Sequence, residues 1–320
     1  MRRERMRNFY LDFNIAKLYP IGVGAIIKWD FSVDRDDQKN LHELSKSLDD
    51  LDQRVRMLEG LLRIGPGFIE KTLKSRGLEC AGFVPTDQIL QPVPPTAVHL
   101  ERFYNQLHRY SFRLFLRDVV AHRKRFNLDH LTRYCSQRVA RKYLDLLVDL
   151  GLAVPLKDES FRLTNLNVHT FGETLEWYVA QVFRREFGSP ALWGLEVRDL
   201  SPGGDFDVLA EVDRRLVYVE VKSSPPKGIH LPNVEAFLIR VKILSPDVAM
   251  FLVDTHLRME DKIVVLFKQA RERFPDEVES IQRMTRGVFR VGRKIFTFNT
   301  KPNLIHNIRV CLKAYFGSMN

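Results

Sequence analysis

The 320-residue chain is poor in cysteine, with only Cys80, Cys135 and Cys311. They are far apart, odd in number, and none belongs to a C-x-x-C pair. That excludes a disulfide framework and a cysteine-based zinc site, and it fits a reducing, cytoplasmic setting. The nine histidines form no H-E-x-x-H pair, so a helix-borne zinc hydrolase is excluded as well. No apolar run approaches the roughly 18 residues a membrane span needs. The opening MRRERMRNFY is basic with no apolar signal core after it, so the expectation is a soluble chain that is not exported and has no membrane partner. IGVGA at 21–25 lacks the Lys-Ser/Thr of a phosphate loop. There is no readable Ser-His-Asp arrangement, no internal repeat and no low-complexity tract.

What the chain does have is positive charge. The formal net charge is +10, which favours a polyanionic partner, nucleic acid first, with DNA ahead of RNA. Its length exceeds one ordinary core and suggests two or three domains. Residues 1–95 read as an N-terminal region. Leu41, Leu44, Leu48, Leu51, Val55, Leu58 and Leu62 alternate spacings of three and four, a heptad seam on one helix. Such a seam packs on another helix of the same chain or makes a homodimer through residues 41–62. Phe68 to Leu78 reads as a short helix. The run from 82 to 98 holds Pro85, Pro92, Pro94 and Pro95, an extended linker or strap.

Residues 100–166 read as a winged-helix domain. A helix over 100–126, broken near Tyr110, is followed by a short one capped by Asn127. A third, capped by Ser136, turns Val139, Tyr143, Leu144 and Leu147 inward. LAVPLKDESFRLT then reads as a strand, turn and strand. The third helix would show Gln137, Arg138, Arg141 and Lys142 to solvent, the face a recognition helix turns to the major groove. Residues 101–150 hold eleven Lys/Arg against five Asp/Glu. A protein-interaction module is the competing reading of the same pattern.

The third segment, 168–320, is built around GGDFDVLAEVDRRLVYVEVKSS, Gly203 to Ser224. It reads as a hairpin, Phe206 to Val212 and Leu216 to Lys222 about a turn at Asp213-Arg214-Arg215, whose second arm is interrupted by Glu220 and Lys222, two residues apart and so on one face. A two-residue loop at Asp213-Arg214 sets Asp207 opposite Glu220; a three-residue loop does not. Paired carboxylates in an apolar sheet need a cation, either a divalent metal or Lys222 itself. The segment's order is a helix (172–187), a strand (192–200), the hairpin, a helix (233–244) and a strand (248–253). Beyond it, an amphipathic helix over 258–274, a hairpin over 287–299 and a terminal helix over 303–316 are expected. Arg240 on the 233–244 helix is a candidate for a basic residue near the site, with a solvated helix face as the favoured reading. His169 reads as structural.

This α/β layout, with D-x12-E-x-K at Asp207, Glu220 and Lys222 and a G-x-x-x-E at Gly172 and Glu176, resembles the PD-(D/E)xK, restriction endonuclease-like nuclease superfamily. The proline of that name is missing before Asp207. The resemblance covers about residues 170–255. It implies an αβββαβ core and a metal-dependent endonuclease that hydrolyses phosphodiester bonds, most simply in DNA. It implies Mg²⁺ or Mn²⁺ held by Asp207, Glu220, the Val221 carbonyl and Glu176, with Lys222 beside the attacking water. The alternatives are a winged-helix DNA-binding regulator without catalysis and an RNA-directed defence nuclease.

Overall fold

A computed structural model of the chain describes residues 67–198 and 205–317. All belong to the unit Glu59–Asn320. The strand readings within residues 1–40, the heptad helix at 41–62 and the homodimer drawn from it lie outside the described residues.

The described chain opens with helix α1, Gly67–Ser75, and strand β1, Cys80–Phe83. The proline-rich run then lies against the body. Ile89 and Leu90 are buried, the Leu90 N–H donates to Thr174 Oγ1 at 2.9 Å, and the Val93 N–H donates to the Leu150 carbonyl at 2.9 Å. It is a strap.

Next come α2, Ala97–Leu107, and α3, Tyr110–Ala121, broken at His108-Arg109 where the pattern predicted a break. A 3₁₀ turn spans Asp129–Leu131, with Asn127 Oδ1 accepting the His130 N–H at 3.2 Å. Helix α4, Gln137–Asp149, buries Ala140, Tyr143, Leu144 and Leu147. Ser136 stands at its N-cap, but its side chain makes no capping bond; only its carbonyl accepts, from Val139 and Ala140. Strands β2, Ala153–Pro155, and β3, Phe161–Leu163, pair antiparallel. The helix read over 100–126 is thus two helices, the short one after Asn127 is a 3₁₀ turn, and α4 and a hairpin follow. One apolar cluster runs from Phe103 and Leu116 through Leu144 to Val179 and Val219, so this module shares its core with the third segment.

The third segment supplies α5, Gly172–Glu186; β4, Ala191–Val197; β5, Asp205–Val212; β6, Arg215–Lys222; α6, Leu231–Leu244; and β7, Val248–Val253. This is the expected αβββαβ order. After it come α7, Ile263–Ala270; β8, Ile281–Thr285; β9, Val288–Val291; β10, Ile295–Asn299; and α8, Leu304–Phe316. α7 is shorter than the 258–274 predicted, since Glu260 to Lys262 form a turn ahead of it and Arg271 to Arg273 one after it. β8 is an addition to the hairpin read at 287–299.

The fold is mixed α/β. Eight strands make one mixed sheet in the order β1-β4-β5-β6-β7-β10-β9-β8. The central three, β6, β7 and β10, are parallel. Both of their faces are covered, so β7, VAMFLV, is buried at every residue and shows no alternation. One face packs on α5, α8 and the helical module through Val208, Val217, Val219 and Met250. The other packs on α1, α6 and α7 through Leu209, Tyr218, Phe251 and Phe267. The carboxyl ends of β6, β7 and β10 stand side by side. Lys222 pairs with Val253, and Val253 with Asn299.

Candidate functional site

The β5–β6 loop decides the register. Asp213 and Arg214 have φ of 50° and 58°, the two left-handed residues of a two-residue hairpin turn that suits strand twist. Pairing then runs from Val212↔Arg215 to Val208↔Val219. The next rung in that register holds Asp207 and Glu220. The paired ladder stops one step short of it, and the Asp207 carboxylate accepts the Val221 N–H at 2.6 Å instead. The two-residue alternative is therefore the one that forms, and it brings Asp207 to the β6 backbone between Glu220 and Lys222.

Tyr218, Glu220 and Lys222 alternate along β6 toward α6. Glu220 is fully buried. Its Oε1 lies 2.7 Å from Lys222 Nζ and 2.7 Å from Arg240 Nη2. Its Oε2 accepts from the Tyr218 hydroxyl, and Arg240 Nε donates to that hydroxyl at 2.9 Å. Arg240 is thus no part of a solvated face: it is 7% exposed and reaches down from α6 into the sheet. The signal was present. Phe237, Arg240, Val241 and Leu244 fall at i, i+3, i+4 and i+7, the apolar stripe of that helix. Tyr218 was legible too, two residues before Glu220 and hence on its face.

Glu176 comes from the first turns of α5. A Cβ placed on Gly172 would lie 4.0 Å from Glu176 Oε1 and 3.9 Å from Ser223 Oγ. The helix start therefore meets the loop that leaves β6, and Glu176 joins the field of Asp207. Its neighbour Glu173 turns to Thr170, whose hydroxyl donates to it.

The four groups differ in charge. Burial alone would push the Glu220 carboxyl up, but Lys222 and Arg240 outweigh it and hold the group below its usual range. Asp207 goes the other way. Burial and then the Glu220 charge push it well up, against a smaller pull from Lys222 and the Val221 N–H. Glu176 is also pushed well up, by burial and then by Asp207, Glu173, Asp205 and Glu220. Burial works against the charge of Lys222, yet Glu220 and Asp207 keep its ammonium protonated more firmly than usual. Glu220 is therefore an ion with its cations already in place. Asp207 and Glu176 are carboxyl groups short of a positive partner. Among the described residues, no three of His, Cys, Asp and Glu converge as a ready-made metal cage. Two underneutralised carboxylates still suit Mg²⁺, which takes one or two carboxylates and completes its shell with water and substrate phosphate.

A second buried network borders the first. Asp254, just past β7, is fully buried and donates its N–H to the Lys222 carbonyl at 2.9 Å. Its carboxylate accepts from Arg113 at 2.7 Å, Arg117 at 2.6 Å and Thr300 at 3.0 Å. Both arginines belong to α3, so this ion cluster fastens the helical module to the sheet beside Lys222. Sequence reasoning missed it.

Gln137, Arg138, Arg141 and Lys142 are all exposed on α4, as expected, and stand outside the carboxylate cluster. His169 is exposed, with Nδ1 2.8 Å from Arg123 Nη2. No described helix is long and apolar enough to cross a membrane.

Solved structures that resemble the chain include two proteins. Protein VC1899 from Vibrio cholerae superposes with a TM-score of 0.45 at 16% identity, over 77% of this chain and 62% of that one. Can2 from Sulfobacillus thermosulfidooxidans, solved with cyclic tetra-adenylate, gives 0.39 at 15%, over 66% and 52%. This chain therefore spans about half to three-fifths of those proteins' lengths. No protein-family model and no curated protein matches the sequence.

Proposed function

We propose that the chain is a nuclease that hydrolyses phosphodiester bonds with the help of a divalent cation, DNA being the first substrate to test. One observation carries the reading. Asp207, Glu220 and Lys222 meet at the carboxyl end of β6, where Glu176 arrives from α5, and two of the three carboxyl groups lack a compensating cation. A purely structural cluster has little use for two such groups, because burying a carboxyl costs free energy that a proton or a cation must offset.

Mg²⁺ or Mn²⁺ would be held by Asp207 and Glu176, with Glu220 and the Val221 carbonyl as the resemblance implies. It would act as a Lewis acid toward the phosphate and lower the pKa of bound water. The chain's own residues do the rest. Lys222, firmly protonated, places a point charge where negative charge grows on the phosphate, and it orients the attacking water. Arg240 and Tyr218 fix the Glu220 carboxylate, so that Lys222 is held from a rigid strand rather than from a loop. The +10 charge of the chain draws in the polyanion, and Gln137, Arg138, Arg141 and Lys142 offer it a second surface, in the manner of a winged-helix domain.

One observation favours the second reading, a nucleic-acid-binding module without catalysis: both Glu220 oxygens are already bonded by protein groups. The two readings part in a cleavage assay on linear, circular and single-stranded DNA and on RNA, with Mg²⁺, Mn²⁺ or EDTA. Metal-dependent cleavage that disappears in Asp207→Asn supports the nuclease. Salt-dependent binding with no cleavage under either metal supports the binding module.

A further inference from the structure

The loops after β7 and β10 and the β8–β9 turn enclose an open pocket of about 450 Å³. Its walls carry Arg258, Arg283, Arg286 and Lys301 against a single acid, Glu260. Arg283 lies 3.7 Å from Glu260, and Arg258 lies 3.5 Å from Asp261. Arg286 and Lys301 are exposed, and neither has a carboxylate partner among the described residues.

The floor is Asn299, 4% exposed. Its amide donates to the Leu257 carbonyl at 2.9 Å and accepts the Lys301 N–H at 3.1 Å. Gly287 has φ of +84°, and a Cβ there would sit 2.5 Å from Asn299 Oδ1. Only glycine lets the Arg286 turn lie so close. The Asn299 amide thus ties the loops after β7 and β10, its backbone N–H donates to the Gly287 carbonyl at 3.1 Å, and the two cations without an acid partner project from backbone that is already fixed. Such a site binds an anion without ordering its loops first.

Position gives the pocket its meaning. Lys222, Val253 and Asn299 form one rung across three parallel strands, so the pocket floor is two strands from Lys222. At about 4.8 Å per strand that is roughly 10 Å. One strand advances about 3.4 Å per nucleotide along a duplex axis and more when extended as a single strand, so a gap of roughly 10 Å is covered by no more than about three nucleotides.

We propose that this pocket is a phosphate subsite, seating the sugar–phosphate backbone of the same polynucleotide within about three nucleotides of the carboxylates. It takes a phosphodiester through Arg286 and Lys301 and reads no base, since backbone contacts position a strand without specifying its sequence. The proposal rests on the nuclease reading for its substrate class, but its test does not need cleavage.

The test is fluorescence anisotropy of a labelled single-stranded DNA oligonucleotide in EDTA, with wild type and Arg286→Ser/Lys301→Ser compared across a salt series. Thermal unfolding of both proteins confirms that the double variant is folded. The expected result is a Kd weaker by roughly tenfold and a log–log salt slope reduced by about 1.4, the loss of two phosphate contacts on a single strand. Arg286→Lys should restore most of that contact's share of the slope. In a cleavage assay the double variant should raise KM and leave kcat unchanged. An unchanged Kd and slope would overturn the subsite, and cleavage would then leave the nuclease reading standing. Weakened binding in the double variant, with no cleavage by wild type, would keep the subsite and remove the nuclease. Displacement of the oligonucleotide by inorganic phosphate at equal ionic strength, as readily as by unlabelled DNA, would assign the pocket to free anions and overturn the polynucleotide.

Discussion

At the residue scale the proposed chemistry turns on how unequally four groups, two buried and two half-buried, are neutralised. Glu220 has two cations and a phenol on it, whereas Asp207 has only the smaller pull of Lys222 and the Val221 N–H, and Glu176 faces other carboxylates. Removing Arg240 leaves a fully buried carboxylate with one cation fewer. Arg240→Ala is predicted to cost about 3–5 kcal/mol, read as a fall in the urea midpoint at unchanged m-value, with Arg240→Lys recovering part of it. The pH dependence has the opposite sign for the two kinds of acid. Glu220, held low, contributes stability at neutral pH that is lost as pH falls below the usual value of 4.5. Asp207 and Glu176, pushed up from 3.8 and 4.5, contribute stability that is complete below those values and fades as pH climbs above them. In EDTA the thermal midpoint should therefore decline on the alkaline side, and Mg²⁺ should restore it by replacing the missing protons. Asp207→Asn should raise the alkaline midpoint in EDTA and shrink the Mg²⁺ effect. A midpoint indifferent to Mg²⁺ at every pH would count against a metal at these carboxylates.

At the scale of elements, the hairpin was the most legible part of the chain, because strand alternation and loop length together dictate which side chains share a face. Once Asp213 and Arg214 are read as the loop, the shared face of Glu220 and Lys222 and the approach of Asp207 follow by counting. The same turn yields a stability prediction. Arg214 has φ of 58°, a conformation that costs a residue with a Cβ about 1–2 kcal/mol. Arg214→Gly relieves it at the expense of a more flexible unfolded chain, so a net gain of about 0.5–1 kcal/mol is expected, seen as a thermal midpoint higher by about 2 °C. Other elements were illegible for physical reasons. β8 reads Ile-Gln-Arg-Met-Thr, an edge strand whose polar residues break the apolar pattern while protecting the edge. Arg240 was misassigned because a basic residue on a helix is ordinarily solvated; only the strand beneath it, with Glu220 and Tyr218 aimed upward, makes burial favourable. The Asp254 cluster joins residues 141 positions apart, and no local pattern announces such a contact.

For the whole molecule, composition points to a polyanionic partner, and under the proposed function three strand ends would form the edge that meets it. β6, β7 and β10 end together. Along that edge stand the carboxylates with Lys222, then the Asp254 cluster that fastens α3, then the basic pocket around Asn299. The module expected at 100–166 is anchored beside Lys222 by Arg113 and Arg117, so nucleic acid held on α4 and nucleic acid on the sheet edge would be in a fixed relation. The central claim is that Lys222 belongs to a metal-dependent phosphodiesterase and is more than a counter-ion for Glu220. Its most direct test is single-turnover cleavage of DNA with Mg²⁺ or Mn²⁺ by wild type and Lys222→Met, with thermal unfolding of each in parallel. Metal-dependent cleavage by wild type is predicted, with a rate at least about 100-fold lower in the variant, which stays folded because Arg240 still neutralises Glu220. Equal rates in the two proteins, or no cleavage by wild type with either metal, would contradict it.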